Sequence, residues 1–188
     1  MLPLIDLLFP IECLGCGQDG AWLCSECITT IPLVAPQCAH CGRLSEQTKA
    51  WHFCAIDSAK YQLTGLLFCT HLNNSSKIIR EAIHIFKYEN VIDLAKPLGQ
   101  LLAEIVTPWL NSLILSNQSN QSTKQDWIIL PVPLHRQRLR WRGFNQAEQL
   151  ANIVALSVAQ SIERSIKNNN PQISSQVSYQ PKMVERYF

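Results

Sequence analysis

Three Cys-x-x-Cys pairs crowd the N-terminal part of the chain: Cys13 and Cys16 in "CLGC", Cys24 and Cys27 in "CSEC", Cys38 and Cys41 in "CAHC". Cys54 follows, so that seven of the eight cysteines lie between residues 13 and 54. No other feature constrains the fold as tightly. Two thiolates spaced by two residues grip one face of a tetrahedral ion from a tight turn, and in a reducing compartment that ion is zinc. Gly15 and Gly17, and Gly42 after the third pair, supply the backbone freedom such turns need. Seven residues separate the first pair from the second. That is enough for a small hairpin that brings Cys13, Cys16, Cys24 and Cys27 onto one zinc. A second site would take Cys38 and Cys41 with Cys54 and Asp57, and His52 and His40 are alternative ligands. A carboxylate matches a thiolate-rich ribbon less well. Ordinary buried or redox cysteines are the competing reading. Cys69, inside "LLFCTHL", reads as a buried small hydrophobe.

The opening "MLPLIDLLFP" is apolar, yet it has no basic leader, carries Asp6, and runs into the first cysteine pair without a small-residue cleavage site. It is expected to pack as structure. A cytoplasmic location follows as the expectation, and disulfides are rare there. No apolar run approaches the roughly 18 to 20 residues that cross a bilayer, so membrane insertion is not expected. With 188 residues, 47% of them hydrophobic, the chain can bury a core. Its formal charge of +2 is too small to make the whole molecule a polyanion binder. Any such role needs local clustering, and one strong cluster exists: Arg136, Arg138, Arg140 and Arg142, in a chain only 16% charged.

Residues 61–72, "YQLTGLLFCTHL", read as a turn and strand. The period then changes. Ile78, Ile79, Ala82, Ile83 and Phe86 fall at helical spacing, with Asn74, Ser75 or Ser76 available as the cap. His84 and Lys87 sit off that stripe, and His84 reads as an exposed helix residue rather than a ligand. Leu94, Leu98, Leu101, Leu102 and Ile105 mark a second helix, in which Pro97 is tolerated in the first turn if Asp93 is the cap. A stretch rich in Ser, Asn and Gln, read as a solvated loop in its second half, leads to "WIILPVPL", an apolar run suited to a strand buried on both faces. The arginines follow as a loop. A helix carrying Ala147, Leu150, Ala151, Val154, Val158 and Ile162 comes next, capped by Asn145 with Glu148 three residues on. Strand, basic loop and helix is the order at which open α/β sheets bind ligands. From Lys167 onward the sequence is polar and unpatterned.

The segments "LLFPIECLGCG", "LCSEC", "CAHCG", "IHIFKYEN" and "PVPLHRQRLRWRGFNQAEQLA" together resemble the ComF family. These are competence-associated proteins with a double zinc ribbon and a type I phosphoribosyltransferase-like domain. The resemblance runs from residue 1 to about 162, and Arg142, Gly143, Phe144, Asn145 and Gln146 match the family's motif position by position. It implies an α/β protein: a double zinc ribbon over 1–58, an incomplete type I phosphoribosyltransferase-like parallel-sheet domain over 59–166, and a polar, disordered tail over 167–188. Zinc is the implied cofactor, held by Cys13, Cys16, Cys24 and Cys27 and by Cys38, Cys41, Cys54 and Asp57, the last where the family generally has Cys. The implied ligand surface comprises Arg136, Arg138, Arg140, Trp141, Arg142, Gly143, Asn145 and Gln146. It would hold phosphate or single-stranded DNA. The implied role is that of an accessory of DNA uptake in natural competence, with partners in the competence machinery such as a DNA-uptake helicase.

The family continues to an acidic pair followed by Thr-Thr-Gly, the loop that cradles phosphoribosyl pyrophosphate. This sequence has no two adjacent acidic residues, and its single Thr-Thr pair, Thr29 and Thr30, precedes Ile31 and Pro32. Arginines supply attraction but do not orient ribose hydroxyls. The expectation is a chain that stops, or leaves its frame, before the second half of the sheet, binding phosphoribosyl pyrophosphate weakly at most and inactive in transfer. Two other readings compete: a phosphoribosyltransferase for an unknown acceptor, and a non-enzymatic zinc-ribbon interaction module. The arginines themselves could be a solvated face. Their interleaving with Trp141 and Phe144, just ahead of a helix start, favours phosphate, with Trp141 either stacking on a base or anchoring the loop.

Overall fold

A computed structural model describes residues 10–34, 67–72, 77–117 and 128–169. The expected ligands Cys38, Cys41, Cys54 and Asp57 lie outside the described residues, with His40, His52, Gly42, the caps Asn74, Ser75 and Ser76, and everything beyond 169. Five α-helices are described: α1 (Ser25–Thr29), α2 (Lys77–Tyr88), α3 (Ala95–Asn117), α4 (Arg136–Arg142) and α5 (Gln146–Asn169). A 3-10 turn, Ile92–Leu94, leads into α3. The parallel sheet implied by the resemblance has no counterpart among the described residues, which hold only isolated bridges such as Glu12 with Asp19.

Helix α2 buries Ile79, Ala82 and Phe86 of the expected stripe, together with Ile85, which was not in it. Ile78 and Ile83, the other members of that stripe, are half-buried. Helix α3 begins differently from expectation, because Asp93 sits inside the 3-10 turn and Val91 caps it without any side-chain hydrogen bond. Pro97 still falls in the first turn of α3, where an amide has no helical partner to lose. Pro108 lies within α3, and the helix continues past it to Asn117.

Among the described residues the core falls into two apolar clusters. The first joins Cys13, Leu23, Cys27 and Ile31 to Ile79, Ala82, Ile85 and Phe86 of α2, and to Leu94, Leu98 and Leu101. The second joins Ala103 and Leu110 of α3 to Val154, Val158 and Ile162 of α5. Gly99 lets these two helices approach closely, since a Cβ there would lie 2.6 Å from the Cβ of Ile153. Farther along, Asn111 Nδ2 donates to Ser161 Oγ at 2.8 Å. Helix α5 reaches Asn169, beyond the point where the unpatterned tail was expected to start. Among the described residues, no helix is long and apolar enough to cross a membrane.

Local expectations are corrected at three places. Residues 128–135 form no strand, only an isolated bridge at Ile129, and Ile128, Leu130 and Val132 are exposed. Pro131 and Pro133 explain this, because each lacks the N–H that a strand needs in its ladder. Of the turn and strand expected over 61–72, residues 61–66 lie outside the described residues and 67–72 form no strand. The arginine segment is a helix, not a loop. Arg, Gln and Leu are all good helix formers, and neither Gly nor Pro interrupts them between His135 and Gly143. The ends are set locally: His135 Nδ1 accepts from Gln137 N at 3.3 Å, and Gly143 adopts φ 72° while its N–H bonds Leu139 O at 2.9 Å. A left-handed C-terminal residue is what glycine tolerates without penalty.

Candidate metal centre and basic surface

The first two cysteine pairs converge as their spacing predicts. Cys13 N donates to Gln18 O at 2.8 Å and Gly17 N to Cys13 O at 2.8 Å, which folds "CLGC" into a knuckle. The second pair enters α1: the Cys24 side chain accepts from Cys27 N at 3.4 Å as the helix cap. All four Sγ atoms lie within 4.8 Å of one another. Cys16 Sγ and Cys24 Sγ are 3.8 Å apart. A tetrahedron with metal-to-sulfur bonds of about 2.3 Å has edges of about 3.8 Å, so the donor set fits zinc in kind and in size.

Electrostatics point the same way. Burial opposes ionisation of Cys13, but backbone hydrogen bonds from Cys24, Cys16 and Gly15 outweigh it and lower the thiol to about 6. Cys27 is pushed up to about 12 by its contact with the Cys24 thiol and by burial. Four crowded thiols cannot all ionise alone, and a divalent cation among them removes that conflict while releasing protons. Gly15 is required by packing. A Cβ there would stand 2.5 Å from Cys27 Sγ and 3.3 Å from Ile78 Cδ1. The knuckle therefore rests directly on α2. Gln18, whose Oε1 lies 3.7 Å from Cys16 Sγ, was not legible as a neighbour of the site from spacing alone. Cys69 is half-buried against the first cluster, and desolvation raises its pKa.

The eight residues expected to hold phosphate or DNA divide into two groups. Arg136, Arg138, Arg140 and Trp141 are exposed on α4. Among the described residues the three arginines have no ion-pair partner. The other four are engaged by the fold. The Arg142 guanidinium lies 5.3 Å from the centre of the Tyr88 ring, and its Nη1 donates to Gln146 Oε1 at 3.4 Å. Gly143 ends α4. Asn145 caps α5, its Oδ1 accepting from Ala147 N at 3.1 Å, and its Nδ2 donates to Val132 O at 3.2 Å. Gln146 is buried and donates to Phe86 O at 3.4 Å. Phe144 packs on Phe86 with ring centres 5.4 Å apart.

Behind this junction lies a cavity of about 520 Å³ walled by Ile83, Phe86, Leu101 and Leu150, with Arg142 and Asn145 at its polar edge. Such walls present no row of donors to a phosphate. His84 is exposed, as its place off the apolar stripe implied, with Nδ1 3.9 Å from Glu89 Oε1.

Comparison with known proteins bears on the N-terminal part. Residues 4–55 match the family model of the double zinc ribbon domain. That range contains Cys13, Cys16, Cys24 and Cys27, whose thiols the structure brings together, and it ends before Asp57. No curated protein and no solved structure matches the chain.

Proposed function

We propose that this chain is a zinc-ribbon accessory protein of ComF type, which binds single-stranded DNA during uptake through the exposed face of α4. One observation carries the reading: Arg136, Arg138 and Arg140 stand free among the described residues, beside a Trp141 that is 61% exposed. Charge that tracks a backbone, next to a ring on which a base can stack, is the combination that single-stranded nucleic acid requires. The zinc ribbon has a bracing role, since its knuckle shares an apolar cluster with α2. Its outer face is the place for competence-machinery proteins such as a DNA-uptake helicase. The phosphoribosyltransferase-like architecture that the ComF resemblance implies belongs to this reading as its fold.

The test is a titration of labelled oligothymidylate by fluorescence anisotropy over a range of salt. Each phosphate contact adds roughly −0.7 to the slope of log affinity against log salt, so binding through the arginines must weaken as salt rises. A second reading, a zinc-ribbon module that docks proteins alone, is favoured by the engagement of Arg142, Asn145 and Gln146 within the fold. Absence of oligonucleotide binding at low salt decides for it.

A further inference from the structure

Reading the arginines as a helix changes which of them can act together. At about 100° per residue, Arg136 and Arg140 stand about 40° apart on one side of α4, while Arg138 and Arg142 stand about 40° apart on nearly the opposite side. The cluster is two pairs, not one continuous strip. Trp141 is three residues from Arg138 and so is its neighbour on the helix surface.

What lies on that second side comes from another element. Tyr88, the last residue of α2, has its ring centre 6.0 Å from that of Trp141, at an interplanar angle of 55°. Arg142 lies against both, 5.3 Å from the centre of the Tyr88 ring and 6.0 Å from that of Trp141. Tyr88 is 47% exposed. Lys87, beside it, is exposed as well. Two open rings, each close to the Arg142 guanidinium, form one surface built from α2 and α4, with Arg138 next to Trp141 on α4 and Lys87 next to Tyr88 in the chain. At its far end His84 makes a tilted ring contact with Tyr88, ring centres 4.9 Å apart, but also faces Glu89, whose carboxylate repels phosphate. The surface stops there.

We infer that Tyr88 is a second base-stacking residue and that Arg138, rather than Arg136 or Arg140, is the main phosphate contact. The ligand is a short run of single-stranded DNA, with adjacent bases on Trp141 and Tyr88 and the backbone passing Arg138 and Lys87. This rests on the reading of α4 as a DNA-binding face and adds α2 to it. Base stacking on an aromatic ring tolerates any sequence, so the surface binds without base preference. Arg136 and Arg140 contribute attraction at a distance, which salt screens.

The experiment uses the full chain and oligothymidylate, again by anisotropy across a salt series. Tyr88→Ala should weaken binding about tenfold with little change in salt slope, and Tyr88→Phe should restore it, because the stacking face returns without the hydroxyl. Arg138→Ala should reduce the slope by about 0.7, with Arg136→Ala and Arg140→Ala each reducing it visibly less. A melting curve for each variant checks that the fold is kept. If the wild-type chain binds and Tyr88→Ala binds equally well, or Arg136→Ala matches Arg138→Ala, this inference falls while the DNA-binding reading stands. If the wild-type chain does not bind at low salt, both fall.

Discussion

Within residues 10–34 the buried side chains are Cys13, Leu23, Cys27 and Ile31, and two of these four are ligands of the metal centre. In the α3 and α5 pair, Ala103, Leu110, Val154, Val158 and Ile162 form a cluster whose buried members are all aliphatic. The contrast lies in what each region can draw on. A buried aliphatic side chain contributes about 1.5 to 3 kcal/mol, so the helix pair is held by several comparable increments. The knuckle has too few of them. A structural zinc is worth on the order of 10 kcal/mol in modules of this size, which makes the ion the deciding term there. Yet the knuckle is not separate from the helices, because its four buried side chains belong to the same cluster as α2.

The sharpest way to break that contrast is Cys24→Ser. It removes a ligand and should cost the knuckle most of its metal-derived stability, on the order of 10 kcal/mol, while α3 and α5 keep their helical circular dichroism. Metal analysis of the variant should show zinc lost from this site. Complementary to it is Gly99→Ala, which presses on Ile153 between α3 and α5 and should cost about 1 to 3 kcal/mol in thermal unfolding with zinc content unchanged. Gly143→Ala places a Cβ on a backbone of φ 72° and should lower stability by about 1 to 2 kcal/mol, with the end of α4 affected first. The smallest effect belongs to Asn145→Ala, which removes the cap of α5 and costs about 1 kcal/mol by denaturant titration.

How far the sequence spoke for itself differs between the regions for physical reasons. The first metal centre was legible residue by residue, because ligand spacing in a knuckle is a local property of the chain. Helices α2, α3 and α5 were legible from their apolar period, and so was Asn145 as a cap. The strand expected at "WIILPVPL" was misread because hydrophobicity alone ignores the missing N–H groups of Pro131 and Pro133. The arginine segment was misread as a loop because its charge drew attention away from helix-forming residues between a cap and a glycine. Tyr88 was not legible at all. Its meeting with Trp141 joins α2 to α4 across many residues, and no local pattern encodes such a contact.

The metal-held knuckle braces α2, the helix that carries Tyr88 to the surface, through the apolar cluster the two share. Hydrogen exchange measured before and after zinc removal by a chelator tests this directly, since exchange reports opening element by element. The prediction is faster exchange in residues 10–34 and in α2, from Lys77 to Tyr88, with the stretch of α5 from Val154 to Ile162 unchanged. Exchange in α2 that stays the same after metal analysis has shown the zinc to be gone would contradict it.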